Sequence, residues 1–243
     1  MGNDFISKPK AYARFAGLNY LIIFALAIFA NFFIMGKLVV SGDAVTTASN
    51  IMQNESLFRL GVACFFVVMI ADVFVAWALY LVLRPVDAHL SLLSAFFRLT
   101  YTIAQIGVLM NLVKVLQLGG RPEIYNALTA EAGAAFLYFF LASHQGEFTL
   151  TLIFFGIHLL LLGYLIIRSK YLPALIGLLV TVAGAGYLVD GFAEILFDGY
   201  GKFGGLGLYI VILPALLGEG ALCLWLLLRG LNQKKWDEML NAV

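Results

Sequence analysis

Ionisable and amide side chains lie inside long apolar stretches of this 243-residue sequence, and these are the residues that could do chemistry. A charge at the centre of a membrane helix costs about 2.5–3.5 kcal/mol on insertion scales, so such residues are rare and are functional candidates by default. Carboxylates, an imidazole and a guanidinium together suit the binding of a polar ligand or the exchange of a proton. The candidates for ligand or proton binding are Asp72, Arg98, Gln105, His158, Asp190, Glu194 and Glu219.

Four of these candidates fall at a similar depth when residues are counted, at about 1.5 Å each, from the helix ends on the side of the two termini. They are Asp72, Arg98, His158 and Glu219. We expect Asp72 and Arg98 to approach each other, with His158 and Glu219 facing the same interior. Because Arg98 offers one permanent positive charge to two carboxylates, the second carboxylate must be protonated, pair with protonated His158, or bind a cationic ligand. A structural ion pair between Asp72 and Arg98 is the alternative to a functional site.

A second tier of polar residues is predicted nearer the opposite face of the membrane. Tyr187, Asp190 and Glu194 follow the spacing i, i+3, i+7 and therefore share one helix face. Arg59 and Lys114 are predicted near the same depth from neighbouring helices, unless they simply extend to the lipid headgroups. Contact of the acidic residues with interfacial water is the alternative for Asp190 and Glu194.

Six long apolar segments must position these side chains. Hydrophobic residues make up 63% of the chain and charged residues 12%, against about 45–50% and about 25% in soluble domains. This composition excludes a soluble globular protein, a disordered chain and a nucleic-acid-binding protein with a basic surface. The predicted fold is all-α: a polytopic membrane helix bundle forming a single domain over 1–243. Its predicted spans cover about 12–36, 57–83, 90–118, 148–168, 173–197 and 206–229, with a short interfacial helix near 131–143.

The distribution of basic residues predicts the orientation of these spans. With both termini on one side, nine Lys and Arg residues near helix ends fall on that side and five fall on the other. Because basic residues are enriched in cytoplasmic loops, both termini are predicted in the cytoplasm, in the cell (inner) membrane. Between the last two spans, the glycine-rich residues 198–205 match a dinucleotide-binding fingerprint in letters only, since no strand precedes them, and they predict a loop.

Sequence motifs for cofactors and nucleophiles are missing. The chain has no HExxH, no GxSxG, no P-loop and no CxxC pair. We therefore expect no cofactor, no metal site and no nucleic-acid partner. The expected partners are the lipid bilayer and a lipid-like or small-molecule ligand. A homodimer is a further candidate, because Gly177, Thr181 and Ala185 form a ridge of small residues on which another helix can pack, although packing inside one bundle explains the ridge equally.

Several strings occur together in this sequence and carry a family resemblance. The strings are ARFAGLNYLIIF from Ala13, SGDAVTTASNI from Ser41, ESLFRLG from Glu55, LRPV from Leu83, FFGIHLLLLGYLIIRSKYLP from Phe154 and GLLVTVAGAGYLVD from Gly177. In this set the chain resembles the bacterial and archaeal integral membrane family catalogued as domain of unknown function 4386. The resemblance covers about residues 11–195 and is weak over 196–243. It implies a multi-helix membrane fold and implies no reaction, ligand or catalytic residue.

Two classes of function fit these features. The first is binding or transport of a small or lipid-like molecule in a polar intramembrane cavity, with proton coupling through the buried carboxylates. The second is a membrane-embedded enzyme that acts on a lipid or isoprenoid, with His158 and the acids as general acid and base. An accessory or structural membrane subunit is the third alternative. The balance is against an enzyme, and the question stays open.

Overall fold

The computed structural model describes residues 8–120, 128–197, 200 and 208–241. Within these ranges every regular element is a helix. The first helix, α1 (Pro9–Ile28), continues through a π-helical turn (Phe29–Met35) and a last turn (Gly36–Leu38). The others are α2 (Ala44–Gln53), α3 (Glu55–Leu83), α4 (Ala88–Gly119), α5 (Ala130–Ser169), α6 (Ala174–Leu196), a π-helical turn (Leu208–Ile212) leading into α7 (Leu213–Leu228), and α8 (Gln233–Leu240).

Six of these helices are long and apolar enough to cross a membrane, which confirms the predicted all-α fold and the number of spans. The spans belong to α1 with its extension, α3, α4, α5, α6 and α7. Each coincides with a predicted segment to within a few residues, except at the start of α5. The predicted start of the last span at 206, and the predicted loop at 198–205 apart from Tyr200, lie outside the described residues.

The predicted short interfacial helix near 131–143 was wrong as a separate element. The structure joins it to the fourth span in one helix, Ala130–Ser169, of 40 residues. The polar residues between the two predicted segments contain no proline, and a lone Gly146 costs a helix only about 1 kcal/mol, so nothing interrupts the backbone hydrogen bonds. At about 1.5 Å per residue the helix is about 60 Å long, twice the hydrocarbon thickness of about 30 Å.

Contacts divide the chain into two compact units. Unit 1 comprises Met1–Leu21, Ala71–Thr102 and Thr149–Val243, and unit 2 comprises Ile22–Ile70 and Ile103–Phe148. The helices α1, α3, α4 and α5 contribute residues to both units. The single domain predicted from the sequence stays a prediction.

Glycines bring the helices of unit 1 into close contact. A Cβ atom built on Gly156 of α5 would lie 2.9 Å from the carbonyl oxygen of Gly184, and one on Gly177 of α6 would lie 2.7 Å from that of Gly163. Gly177 therefore packs against α5 of the same chain, as does Thr181, whose side chain lies against Gly163. The small-residue ridge predicted from the sequence is used inside the chain at these two positions.

The short helix α8 is fastened to the end of α3 in unit 1. Trp236 is buried, and its Nε1 donates a 2.9 Å hydrogen bond to the carbonyl oxygen of Val82, which also accepts from the hydroxyl of Tyr171 at 2.8 Å. Val82 lies in the last turn of α3, where carbonyl groups have no partner within the helix, so these donors satisfy it. Burial also raises the pKa of Tyr171 above its usual value.

Unit 2 has an aliphatic and aromatic core and carries the short helix α2. Asp43 begins α2, because its carboxylate accepts a 2.9 Å hydrogen bond from the amide of Thr46. Thr47 exchanges hydrogen bonds with the backbone of Val40, and the amide of Gly42 donates to the hydroxyl of Tyr138 at 2.8 Å. These contacts fix the helix within unit 2.

Candidate functional site

A buried polar centre in unit 1 collects side chains from six helices. The helix α4 supplies the central stripe, since Ser94, Arg98 and Thr102 are spaced by four residues and lie on one face. The remaining members, one or two from each of five other helices, are Tyr20 of α1, Asp72 of α3, Phe155 and His158 of α5, Tyr187 of α6 and Glu219 of α7.

Arg98 is the hub of this centre and is only 1% exposed. Its Nη2 pairs with Oδ1 of Asp72 at 2.5 Å, and its Nη1 donates to the hydroxyl of Tyr20 at 2.7 Å. Nη1 also lies 3.2 Å from Nε2 of His158. The expected approach of Asp72 and Arg98 is therefore confirmed.

The carboxylate of Asp72 is satisfied on both oxygens. Oδ2 accepts a short hydrogen bond from the hydroxyl of Thr102, which also lies 2.9 Å from the carbonyl oxygen of Arg98. A buried ion pair offsets its desolvation cost only when the remaining hydrogen-bonding positions are filled, and here both carboxylate oxygens are. The ion pair therefore joins α3 to α4 and leaves neither carboxylate oxygen without a partner.

The hydrogen bonds around His158 fix its protonation. A guanidinium can only donate, so Nε2 facing Arg98 must be an unprotonated acceptor. The ring proton is then on Nδ1, which lies 2.9 Å from the carbonyl oxygen of Ser94 and 2.9 Å from its hydroxyl. His158 is thus neutral, and of the three ways to balance the second carboxylate, pairing with protonated His158 does not fit this geometry.

Two aromatic rings enclose the guanidinium of Arg98. Its Cζ lies 4.9 Å from the ring centroid of Tyr20 and 5.2 Å from that of Phe155, both within the range of cation–π attraction. Among the described residues, Nε of Arg98 is a buried side-chain nitrogen without a hydrogen-bond partner. Buried N–H groups without a partner are rare in folded proteins.

Glu219 is the second carboxylate of the centre and is 6% exposed. Its Oε1 accepts a 3.0 Å hydrogen bond from the hydroxyl of Tyr187, and it interacts electrostatically with Arg98 and Asp72. The sequence predicts Tyr187 in the second tier of polar residues, nearer the opposite face of the membrane. The structure corrects this placement, because the tyrosine side chain reaches away from its own Cα and brings its hydroxyl to Glu219.

The other predicted candidates are spread over both units. Gln105 belongs to unit 2, is buried and has an interaction partner. Asp190 is half-buried and accepts a 3.0 Å hydrogen bond from the hydroxyl of Tyr200, whereas Glu194 is exposed. Burial raises the pKa of Tyr200, and its hydrogen bond to Asp190 adds to the shift.

The basic residues of the predicted second tier, Arg59 and Lys114, interact with polar residues of unit 2. Arg59 pairs with Glu55 one helical turn away. Nζ of Lys114 lies 3.3 Å from Oδ1 of Asn111, whose amide donates to Glu147 at 2.7 Å. Both basic side chains are exposed, which suits the alternative in which they extend towards the headgroups.

Reasoning from the sequence missed three contributors to the polar centre: Tyr20, Ser94 and Phe155. Ser94 carried a usable signal, since it lies one turn before Arg98 on the same face. In α1 the side-chain amide of Asn19 donates to the carbonyl oxygen of Phe15, and the neighbouring Tyr20 bonds to Arg98. Within the described ranges no group of three His, Cys, Asp or Glu side chains is placed to hold a metal ion.

The fold and this site define a polytopic helical membrane protein with a buried polar centre. The profile of the family described as "Domain of unknown function (DUF4386)" matches residues 15–230, and the chain belongs to this family. The match extends beyond the 11–195 expected from the strings and includes α7 with Glu219. An archaeal relative from Archaeoglobus fulgidus, described as an uncharacterized protein, is 33% identical over 177 residues, which cover 73% of this chain and 86% of the relative. No solved structure matches the chain.

Proposed function

We propose that this protein binds or transports a small or lipid-like molecule within the membrane, with Glu219 as the residue that exchanges a proton or meets a cationic group. The charge balance of the polar centre supports this proposal. Asp72 already matches the charge of Arg98 at 2.5 Å, and His158 is neutral. Glu219 has the hydroxyl of Tyr187 as its hydrogen-bond donor, which carries no charge.

An ionised carboxylate without a counter-charge is costly at hydrocarbon depth. Glu219 therefore carries a proton or lies beside a cation. In either state, Glu219 can release its proton or exchange its cation when a ligand enters the polar centre. In the ion pair of Asp72 and Arg98, by contrast, both carboxylate oxygens already accept hydrogen bonds, from Arg98 and Thr102.

The helix around Glu219 leaves room for an incoming group. A Cβ atom built on Gly220 would find its nearest neighbour, Cδ1 of Leu216, only at 4.0 Å. On the other side, Gly218 packs directly against the backbone of Leu179, which holds α7 in place. Glu219 thus lies between Gly218, which packs against α6, and Gly220, which has free space beside it.

The test of this proposal is Glu219→Gln in purified protein and in proteoliposomes. We expect the substitution to keep the folded protein intact and to remove the pH dependence of thermal stability, together with any proton movement reported by a dye inside the vesicles. The matched control is Glu194→Gln, which removes an exposed carboxylate and should change neither readout. An unchanged pH response in Glu219→Gln would contradict the proposal.

A structural subunit is the second candidate, favoured by the buried pair of Asp72 and Arg98, in which both carboxylate oxygens accept hydrogen bonds. In that case Glu219→Gln and the control would behave alike in both readouts. For the enzyme alternative the geometry offers less support, because hydrogen bonds engage both ring nitrogens of His158.

We also propose that both termini face the cytoplasm of the cell membrane. The nine-to-five distribution of basic residues supports this orientation. Two of the five residues on the opposite side, Arg121 and Lys202, lie outside the described residues. A reporter fused after residue 243 should be active only in the cytoplasm, and an external C-terminus would contradict the orientation.

A further inference from the structure

We propose that unit 1 binds the headgroup of an anionic phospholipid where α1 begins and α8 is docked. An open depression on this surface is lined by Lys8, Lys10, Ala11, Arg14 and Gln233. It shares no residue with the polar centre around Arg98, so the inference goes beyond the proposed function. We call these residues the basic depression.

Close packing of Gly230 against Lys10 holds the two sides of the basic depression together. Gly230 has a φ of 70°, and a Cβ atom built on it would lie 2.9 Å from Cγ of Lys10. Only glycine fits this approach without strain. Trp236 then fixes α8 through its hydrogen bond to Val82, which places Gln233 beside the start of α1.

The charge of the basic depression suits a phosphate group. Lys8, Lys10 and Arg14 are exposed, and no carboxylate of the described residues forms an ion pair with them. Oδ1 of Asp237 in α8 accepts a 3.0 Å hydrogen bond from the side chain of Gln233. Asp237 itself does not line the depression. Ammonium and guanidinium groups around one opening are typical of phosphate recognition.

The position of the basic depression indicates a lipid as the source of that phosphate. The first span begins at Pro9 and the last ends at Leu228, so the basic side chains lie at the level of the headgroups. Below Arg14 on the same face of α1, Leu18 and Leu21 are exposed by 46% and 43%. A phosphate paired with Arg14 would therefore continue into an acyl chain lying on these two leucines, which a free phosphate ion could not use.

The test compares lipid retention by native mass spectrometry from mixed micelles of phosphatidylglycerol and phosphatidylcholine. The variant replaces Lys8, Lys10 and Arg14 with Gln. The control replaces Arg84, Arg168 and Lys170 with Gln, because these basic residues lie at or just after the ends of spans on the same side but do not line the depression. Thermal unfolding checks that both variants are folded.

We expect the wild-type protein and the control to retain phosphatidylglycerol preferentially, and the variant to bind it about a hundredfold more weakly, since each of the three basic residues near a membrane surface contributes about fivefold. Equal loss in the control would overturn the proposal, because it would mean a general attraction of that side for anionic lipid. Release of the lipid by soluble glycerol phosphate would overturn the choice of a lipid over a free phosphate. Should the variant not fold, loss of wild-type lipid retention on raising the salt from about 0.05 to about 0.5 M supplies the test, and salt-insensitive retention would contradict the proposal.

Discussion

Two arginine–carboxylate pairs, one in each unit, have the same separation and opposite surroundings. In unit 1, Arg98 and Asp72 meet at 2.5 Å with side chains only 1% and 4% exposed. In unit 2, Arg59 and Glu55 also meet at 2.5 Å, but their side chains are 57% and 41% exposed. The comparison teaches that the distance alone says little about what a pair does, because the surroundings set its cost and its strength.

The physical difference lies in what happens when one partner is removed. Water or headgroups solvate an exposed charge that has lost its partner, and such pairs contribute about 0.2–1 kcal/mol. A buried charge has no such replacement. Breaking a buried pair typically costs about 3–5 kcal/mol, most of it from the stranded charge rather than from the lost attraction.

The largest expected effect follows from Arg98→Met. This substitution strands the carboxylate of Asp72 and removes the donor to Tyr20 and His158. We expect the free energy of unfolding to fall by about 3–5 kcal/mol, measured by denaturation in detergent. The double variant Asp72→Asn, Arg98→Gln should be less destabilised than either Asp72→Asn or Arg98→Gln alone, because it leaves no unpaired charge. Additive losses in the double variant would show that the pair is not coupled.

The same substitution in unit 2, Arg59→Met, sharpens the comparison with a much smaller effect. Arg59 and Glu55 form an exposed pair one turn apart on α3, a kind that contributes about 0.3–0.5 kcal/mol. We expect a change of stability below about 1 kcal/mol in the same measurement, and a change that shrinks further in high salt. A loss comparable to that of Arg98→Met would mean that exposure does not explain the difference between the two pairs.

The smallest effect is expected at Asp43, an exposed carboxylate of unit 2 that has hydrogen bonds. The hydroxyl and amide of Thr46 donate to it and lower its pKa below the usual value of 3.8. A lowered pKa in the folded state means that the carboxylate stabilises α2 above about pH 4 and loses this contribution as the pH falls through the folded value. The protection of the first amides of α2, taken as their exchange rate relative to the intrinsic rate at the same pH, should therefore fall in acid.

The matched variant is Asp43→Asn, which retains a side-chain oxygen to begin the helix but does not titrate. We expect it to protect the same amides similarly at neutral pH and to show no such loss of protection below about pH 4. An identical acid response in the variant would exclude Asp43 as its cause.

Depth counting along the sequence predicted the pair of Asp72 and Arg98 because helical rise is uniform and charges in lipid must find partners. The same method misplaced Tyr187, since it locates Cα atoms and not the end of a long side chain. It also overlooked Tyr20, whose hydroxyl bonds to Arg98. Whether the candidates bind a ligand or a proton stays a prediction.

The sequence by itself determined the class of the protein, the number of spans and the residues that need partners, because apolar length and intramembrane charge are local properties of the chain. Only the tertiary structure decided which partner each charge has. The neutral state of His158 depends on Arg98, which lies 60 positions away along the chain and faces its Nε2. The guanidinium of Arg98 pairs with Asp72 at 2.5 Å, and Glu219 interacts electrostatically with both. Those assignments arise from side-chain packing among several helices, which no spacing within one helix specifies.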